Sequence, residues 1–99
     1  MINLTKDNFA STIASGKTLI GFGAQWCGYC RMMEPIVAEL AVKDADKATI
    51  AKVDADAEPT LIQLNQITAF PTFVMFKDGV EVGRSMGVQT IEALESMIG

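Results

Sequence analysis

Several residue types are scarce or missing in this chain of 99 residues, and each shortage excludes a class of chemistry. There is no histidine, which excludes histidine–zinc centres, serine–histidine and cysteine–histidine catalysis, and a histidine pH switch. Only two cysteines are present, whereas small secreted disulfide scaffolds use more and space them to close long loops. Positive charge is also short, with 8 Lys and Arg against 12 Asp and Glu, so no nucleic-acid partner is expected.

Hydrophobic runs suited to a membrane are missing as well. The N-terminal stretch 1–7 lacks a basic region followed by an apolar core, so it is not predicted to be a signal peptide. Residues 59–76 carry no charge, but two prolines, Asn65 and several Thr and Gln make them a poor membrane span. We therefore expect a soluble, cytoplasmic protein that does not bind membranes.

The residues that are present suffice for one folded domain. Hydrophobic residues make up 49% of the chain and charged residues 20%, a balance that argues against intrinsic disorder. A chain of this length buries roughly two-thirds of its unfolded surface and can fold without disulfides or metal. No repeat, linker or low-complexity segment interrupts the sequence, so a single domain is predicted over residues 1–99.

The spacing of apolar residues predicts alternating strands and helices. A first helix of about ten residues is expected to begin at the capping residue Thr5, with Phe9 and Ile13 on its apolar face. Further helices are predicted over 28–43, with a kink at Pro35, over 59–65, and from Thr90 onward. Strands are predicted over 1–4, 18–23, 49–54, 72–77 and 80–86, the last two joined by a hairpin at Asp78-Gly79.

This order of elements predicts an α/β fold with a central mixed β-sheet and helices on both faces. Cys27 and Cys30 form a CxxC motif where a predicted strand gives way to a predicted helix. Unpaired N–H groups and the helix dipole stabilise an anion at a helix N-terminus, so Cys27 is expected to supply the nucleophilic thiolate. Cys30 lies one turn further in and would resolve a mixed disulfide by attacking Cys27.

Other uses of a CxxC motif are less consistent with the composition. Zinc needs four ligands, which here would require carboxylates or a second subunit. An iron–sulfur cluster would have to be shared between two chains. Two inert, buried cysteines are the structural alternative. The motif favours redox chemistry, with no metal and no cofactor other than the Cys27–Cys30 disulfide itself.

Six segments stand in a distinctive order along the chain. They are Phe22–Met32 around the cysteines, Pro35 in the next helix, Ala51–Asp54, Phe70–Phe73, Phe76–Gly79 and Gly87. With this ordered set the sequence resembles the thioredoxin family over essentially its whole length. The resemblance implies a thioredoxin fold, a monomer, disulfide-containing protein substrates, and an electron donor similar to the flavin-dependent thioredoxin reductases.

The resemblance also implies a substrate groove beside the cysteines. Pro71 would be cis and lie against the Cys27–Cys30 pair, which leaves the backbone of Phe70 free to pair with an extended substrate strand. The groove would be framed by Trp26, Tyr29, Phe70 and Gly87-Val88. Core packing is the alternative for Phe70, and it is the favoured interpretation for Phe73.

The residues between the cysteines depart from the usual family pattern. Gly28-Tyr29 stands where Gly-Pro is typical. It is similar to the dipeptide of bacterial periplasmic disulfide isomerases, and the tyrosine resembles that of glutaredoxins. Because Tyr29 adds no positive charge, we expect a reduction potential between about −270 mV, as in thioredoxin, and about −180 mV, as in protein disulfide isomerase.

Three further positions also differ from the family pattern. Gly21 takes the place of a buried aspartate that helps to move a proton from the resolving cysteine, so slower deprotonation of Cys30, or transfer to water or another side chain, is expected. Lys52 thereby loses its acidic neighbour. It is predicted either to stabilise the thiolate or, if desolvated, to act as a base, and a head group that reaches water is the alternative. Gly23 replaces an aromatic residue and is expected to open the floor of the site, whereas Phe70 is expected to narrow the groove.

Protein disulfide reduction is therefore the predicted function. Gly28-Tyr29 favours an oxidase or isomerase as an alternative, although such isomerases carry a dimerisation domain for which this chain has no room. Glutaredoxin-like use of glutathione is a third possibility. A non-catalytic docking module that uses only the groove is a fourth, and the intact CxxC argues against it because docking needs no thiols.

Overall fold

A five-stranded mixed sheet runs through the middle of the molecule. The computed structural model describes residues 1–99. Its strands are β1 (Ile2–Asn3), β2 (Lys17–Gly23), β3 (Thr49–Asp54), β4 (Thr72–Lys77) and β5 (Val80–Met86), and its helices are α1 (Phe9–Ile13), α2 (Gly28–Lys43), α3 (Pro59–Leu64) and α4 (Ile91–Ile98). The strand order is β1-β3-β2-β4-β5, with β1, β3 and β2 parallel and β4 antiparallel to both of its neighbours. The predicted α/β architecture is confirmed.

Each face of the sheet buries its own hydrophobic cluster. Successive side chains of a strand point to opposite faces, so Phe22 of β2 joins one cluster and Leu19 joins the other. The first cluster packs against α1 and α3 through residues such as Phe9 and Leu61. The second packs against α2 and α4 through residues such as Leu40 and Leu94. Helices therefore cover both faces, as the sequence predicted.

The first helix is shorter than predicted. It spans five residues, Phe9–Ile13, and begins after Asn8 instead of at Thr5. The Asn8 side chain accepts a hydrogen bond from the backbone N–H of Thr5 at 2.7 Å, and the Thr5 hydroxyl accepts one from Asp7 at 3.2 Å. Such local bonds between side chains and backbone favour a turn over a helix. Phe9 and Ile13 are nevertheless buried, as expected for the apolar face.

The remaining elements agree with the prediction to within a residue or two at their ends. Asp78 and Gly79 have φ angles of +51° and +85°, the left-handed conformation that a tight two-residue hairpin requires. The Thr90 hydroxyl accepts a hydrogen bond from the Ala93 N–H at 3.1 Å and so caps α4 as predicted. Pro35 lies inside α2, and the kink expected there stays a prediction.

The sheet brings three chain segments to one edge. The parallel strands β2 and β3 end together at Gly23 and Asp54, which are register partners. Strand β4 runs antiparallel and therefore begins at this edge, directly after Pro71. The loop from β2 to the N-terminus of α2 starts here too, so the cysteines and the Phe70-Pro71 segment converge. No helix in the structure is both long enough and apolar enough to cross a bilayer.

Leu40→Ala is expected to destabilise the fold strongly. Leu40 is fully buried in the cluster between α2 and the sheet, and truncating such a side chain typically costs about 2–5 kcal/mol. Urea denaturation followed by circular dichroism measures the change in the free energy of unfolding. Val42→Ala is the matched control on the same helix, because Val42 is 82% exposed and should change stability by less than about 0.5 kcal/mol. Equal losses in both variants would contradict the packing described here.

Candidate active site

The two cysteines lie at the N-terminal end of α2. Cys27 is the N-cap residue, with extended backbone angles, and the helix proper begins at Gly28. The backbone N–H of Cys30 donates a hydrogen bond to the Cys27 sulfur at 3.3 Å. Both cysteines are free thiols in this structure. The predicted position of the pair, between a strand and a helix N-terminus, is therefore confirmed.

The environment moves the two thiol pKa values in opposite directions. The pKa of Cys27 is lowered, chiefly by a side-chain hydrogen bond from Cys30, and then by the backbone N–H groups of Cys30 and Tyr29 and the positive charge of Arg31, against the effect of burial. Burial is the main cause that raises the pKa of Cys30 to about 11, and its hydrogen bond to Cys27 adds to the effect. Cys27 therefore ionises first, while Cys30 holds its proton.

The Phe70-Pro71 segment lies directly against Cys27. The peptide bond between these two residues is cis, as the resemblance implied. In its protonated form the Cys27 thiol donates a long hydrogen bond to the Phe70 carbonyl, with 3.9 Å between sulfur and oxygen. The rings of Trp26 and Phe70 meet edge to face, with centroids 6.0 Å apart. The structure thus brings Trp26, Cys27, Phe70 and Pro71 together.

The segment after β5 borders the same region. The Gly87 N–H donates to the Pro71 carbonyl at 2.8 Å, and Gly87 adopts a φ of +87°, which favours glycine. The next contact is from the Gln89 N–H to the Met33 sulfur at 3.4 Å. These two bonds hold the segment between Pro71 and α2. Val88 lies between them and is exposed.

The residues between the cysteines face solvent. Tyr29 is 64% exposed in the first turn of α2, and no aromatic partner contacts its ring. A Cβ added at Gly28 would meet no atom within 4 Å. Together with Trp26, which is 66% exposed, Tyr29 gives the surface around Cys27 a large apolar area. Packing therefore places few restrictions on which residues can stand at positions 28 and 29.

A cavity of about 600 Å³ lies behind Cys30. Cys30, Gly21, Gly23 and Lys52 all form part of its wall. A Cβ at Gly23 would lie 3.0 Å from the Cys30 sulfur, and one at Gly21 would lie 3.2 Å from the Phe73 ring. A side chain at Gly23 would therefore crowd Cys30, and one at Gly21 would crowd Phe73. The opening expected from Gly23 stays a prediction, whereas Phe73 is a core residue, as interpreted from the sequence.

Lys52 lies on the cavity wall beside Gly21, its register partner across β2 and β3. The residue is exposed and forms no ion pair, so the desolvation needed for it to act as a base is missing. Its exposure agrees with a head group that reaches water. Arg31 is instead the cation that lowers the pKa of Cys27.

Sequence reasoning missed two residues of this site. Arg31 follows Cys27 by four residues, and its backbone N–H bonds to the Cys27 carbonyl. That i, i+4 spacing was the signal available in the sequence. Met33 was not singled out from the sequence, yet its sulfur accepts a hydrogen bond from the Gln89 N–H. No sequence pattern predicts the contact between Gln89 and Met33, because it joins α2 to a segment far along the chain.

The donor atoms near the pair are two thiols. Tetrahedral zinc sites use four ligands, and no group of three or more Cys, Asp or Glu side chains is arranged to hold a metal ion. What the arrangement can do is exchange disulfides. One thiolate is stabilised at the N-terminus of α2, although Cys27 is only 8% exposed, and a second thiol lies one turn further along the helix.

Comparison with known proteins gives a consistent answer. The sequence profile of the thioredoxin family matches residues 1–99. The thioredoxin of Chlamydia trachomatis is 41% identical over 95 residues, covering 96% of this chain and 92% of that protein. Mitochondrial thioredoxin 3 of Saccharomyces cerevisiae, in its oxidized form, superimposes with a TM-score of 0.90 at 36% identity, covering 99% of this chain and 92% of that one.

A further solved structure resembles the chain equally well. It comes from a study of thiol resolution in a yeast mitochondrial 1-Cys peroxiredoxin by glutathione and thioredoxin systems. Its TM-score is 0.90 at 35% identity, over 99% of this chain and 92% of that one. The profile match, the sequence identities and the paired cysteines agree: the chain belongs to the thioredoxin family and is a dithiol–disulfide oxidoreductase.

Proposed function

We propose that this oxidoreductase reduces disulfides in proteins, with Cys27 as the nucleophile and Cys30 as the resolving thiol. The observation that carries the proposal is the capping contact, in which the Cys30 N–H donates to the Cys27 sulfur at 3.3 Å. Together with the hydrogen bond from the Cys30 thiol, which is the largest cause of the lowered pKa of Cys27, it stabilises the Cys27 thiolate, and burial keeps the Cys30 thiol protonated. Thiol–disulfide exchange needs a thiolate for the first attack and a second thiol to release the product.

The reaction runs in two exchanges. The Cys27 thiolate attacks one sulfur of the substrate disulfide, a bond forms between them, and the other substrate sulfur leaves as a thiolate that takes a proton from water. Cys30 then loses its proton and attacks the Cys27 sulfur, which releases the second substrate thiolate. The Cys27–Cys30 disulfide remains, and two electrons have passed to the substrate.

The proton of Cys30 needs an acceptor in the second exchange. Gly21 offers no carboxylate, and Lys52 is exposed, so neither residue supplies a desolvated base. The cavity of about 600 Å³ along Cys30 has ample room for water. In this proposal, water in the cavity accepts the proton.

The substrate segment is expected to lie along Phe70. No backbone hydrogen bond within the protein uses the N–H or carbonyl of Phe70. The carbonyl accepts only the long bond from the Cys27 thiol, which is lost when the thiolate forms, so both groups are then available to an extended peptide. The exposed ring of Trp26, packed edge to face on Phe70, offers an apolar wall. Disulfides flanked by apolar, extended segments therefore suit the groove.

The partners follow from the same proposal. The relation to thioredoxins supports protein disulfides as substrates and a thioredoxin-reductase-like protein as the electron donor. The neighbour from the peroxiredoxin study supports protein partners of that kind. The chain has no cysteine outside the active pair, which suits a monomer that works in a reducing compartment such as the cytoplasm. No cofactor beyond the disulfide is part of the proposal.

Single cysteine variants test the two roles. Cys30→Ser should still attack a protein disulfide but stop at the mixed disulfide, because no thiol resolves it. Cys27→Ser should form no such adduct. Stoichiometric reaction with insulin, followed by non-reducing electrophoresis and mass spectrometry, detects the adduct. The opposite pattern would reverse the assigned roles. A double variant that keeps its biological function would identify a docking module instead.

The pKa of Cys27 should depend more on Cys30 than on Arg31. The lowered pKa means that the thiolate forms at pH values below the ordinary thiol value of 9.0 and is lost as the pH falls through the lowered value. Cys30→Ala removes the leading cause, so the titration should move toward 9.0, whereas Arg31→Ala should move it less. Thiolate absorbance against pH measures both. A larger shift for Arg31→Ala would contradict the assignment of the Cys30 thiol as the main cause of the lowered pKa.

The reduction potential should lie between about −270 and about −180 mV. Tyr29→Pro, which restores the dipeptide typical of thioredoxins, should lower it, and Tyr29→His, which can add positive charge, should raise it. Trp26 fluorescence in glutathione or dithiothreitol buffers reports the redox state. A wild-type value at the upper limit would favour a thiol oxidant or isomerase over a reductase.

A further inference from the structure

The chain between β5 and α4 passes beside the substrate groove. The Gly87 N–H donates to the Pro71 carbonyl at 2.8 Å, which places this part of the chain next to the cis peptide bond. Its exposed side chains, Met86 and Val88, are apolar. We call residues 86–88 the outer wall of the groove. An extended peptide in the proposed groove would lie against this wall, whereas a small disulfide could reach the thiolate without contacting it.

Gln89 shapes the outer wall through its side chain. The side-chain amide nitrogen of Gln89 donates to the Met86 carbonyl at 3.0 Å and, at the longer distance of 3.5 Å, to the Gly87 carbonyl. These carbonyls belong to residues three and two positions earlier, so the bonds fold the outer wall into a turn. Outside the sheet, the wall has one other hydrogen bond, from the Gly87 N–H. The conformation of the wall therefore depends largely on one side chain.

The Met33 sulfur ties this turn to the helix that carries the cysteines. The backbone N–H of Gln89 donates to it at 3.4 Å, and no backbone carbonyl accepts that N–H. Met33 is 2% exposed and lies in the hydrophobic cluster between α2 and the sheet, which fixes its position. It follows Cys30 by three residues, so both side chains lie on the same face of α2. One helix thus places the thiols and anchors the wall.

We propose that Gln89 and Met33 are positioning residues that make the enzyme favour protein disulfides over small ones. Both act through the outer wall, which they hold in the shape that an extended substrate needs. The inference rests on the proposed function, because it concerns how the same groove receives its substrate. A wall that is already formed lowers the entropy cost of ordering the groove when a protein binds.

The preference arises from the fraction of molecules whose wall is formed. Segments held by few hydrogen bonds open locally at low cost. When only part of the population is competent to bind, the apparent affinity falls by that fraction. Gln89 makes three of the hydrogen bonds that hold the wall, so losing them should enlarge the open fraction. A disulfide that contacts only the thiolate would not sense this change.

Gln89→Met tests the side-chain bonds. The substitution keeps the length of the side chain but leaves no donor for the two carbonyls. Reduced protein is mixed with increasing insulin, and Trp26 fluorescence follows its oxidation. The half-saturating insulin concentration should rise about two- to tenfold, as expected when ordinary hydrogen bonds are lost, while the limiting rate is kept. The rate with dithiodipyridine, a small disulfide, should change much less.

Gln63→Met is the matched control for this variant. Gln63 is exposed on α3, and its side chain forms no hydrogen bond. The same replacement there should leave the half-saturating insulin concentration and both rates as in the wild type.

Met33→Leu tests the anchor separately. Leucine keeps nearly the same buried volume but removes the sulfur that accepts the Gln89 N–H. The half-saturating insulin concentration should again rise, and the Gln89 amide should exchange its hydrogen faster in NMR measurements. Met97→Leu is the matched control, because its sulfur accepts a hydrogen bond from the Ser85 hydroxyl at 3.3 Å and has no contact with the outer wall. It should behave as the wild type toward both disulfides.

Thermal unfolding of each variant separates positioning from a purely structural role. A lower Tm with an unchanged half-saturating insulin concentration in both variants would overturn the proposal. An equal loss of rate with insulin and with dithiodipyridine would also overturn it, because the bonds would then act on the thiols and not on the groove. Wild-type protein that fails to reduce insulin would instead contradict the reductase function, so the two failures are distinguishable.

Discussion

The reactivity of this protein depends on a sulfur atom that caps a helix. Cys27 occupies the N-cap of α2, where an oxygen-bearing side chain is the usual choice, and its sulfur accepts the Cys30 N–H. This backbone turn links the two cysteines, and the hydrogen bond from the Cys30 thiol and the burial of Cys30 make their pKa values unequal. The helix stays in place because its other face is buried through Leu40 and Met33. The sheet, the core and the cap thus act together to hold one thiolate at the N-terminus of α2.

Local patterns predicted most of the fold. The α2 bounds, the Asp78-Gly79 hairpin and the Thr90 cap follow from spacing and residue type over a few positions, and the structure agrees with each. The first helix was predicted too long because the spacing of apolar residues does not reveal the side-chain hydrogen bonds of Asn8 and Thr5, which compete with helix formation. The family resemblance supplied what no pattern could, namely the cis bond before Pro71.

The site was predicted less completely, because its finer features depend on distances between elements. Which cysteine ionises first follows from their positions at a helix start, so it could be predicted from the sequence. Whether Lys52 is desolvated depends on what packs over β3, and the structure shows it exposed. The cavity beside Cys30 is lined by Gly21 and Gly23, and these glycines are visible in the sequence. The empty space between the elements is not.

Strand β2 divides two tasks between its alternate residues. Ile20 and Phe22 lie in the cluster on the side of α1 and α3, where they hold the sheet to its helices. Gly21 and Gly23 lie on the opposite side, where the absence of a side chain lets Phe73 and Cys30 pack close to the strand. Stability and reactivity therefore vary through different positions of the same seven-residue strand. A larger residue at Gly21 or Gly23 would displace Phe73 or Cys30, whereas Ile20 and Phe22 preserve the scaffold that carries the two cysteines.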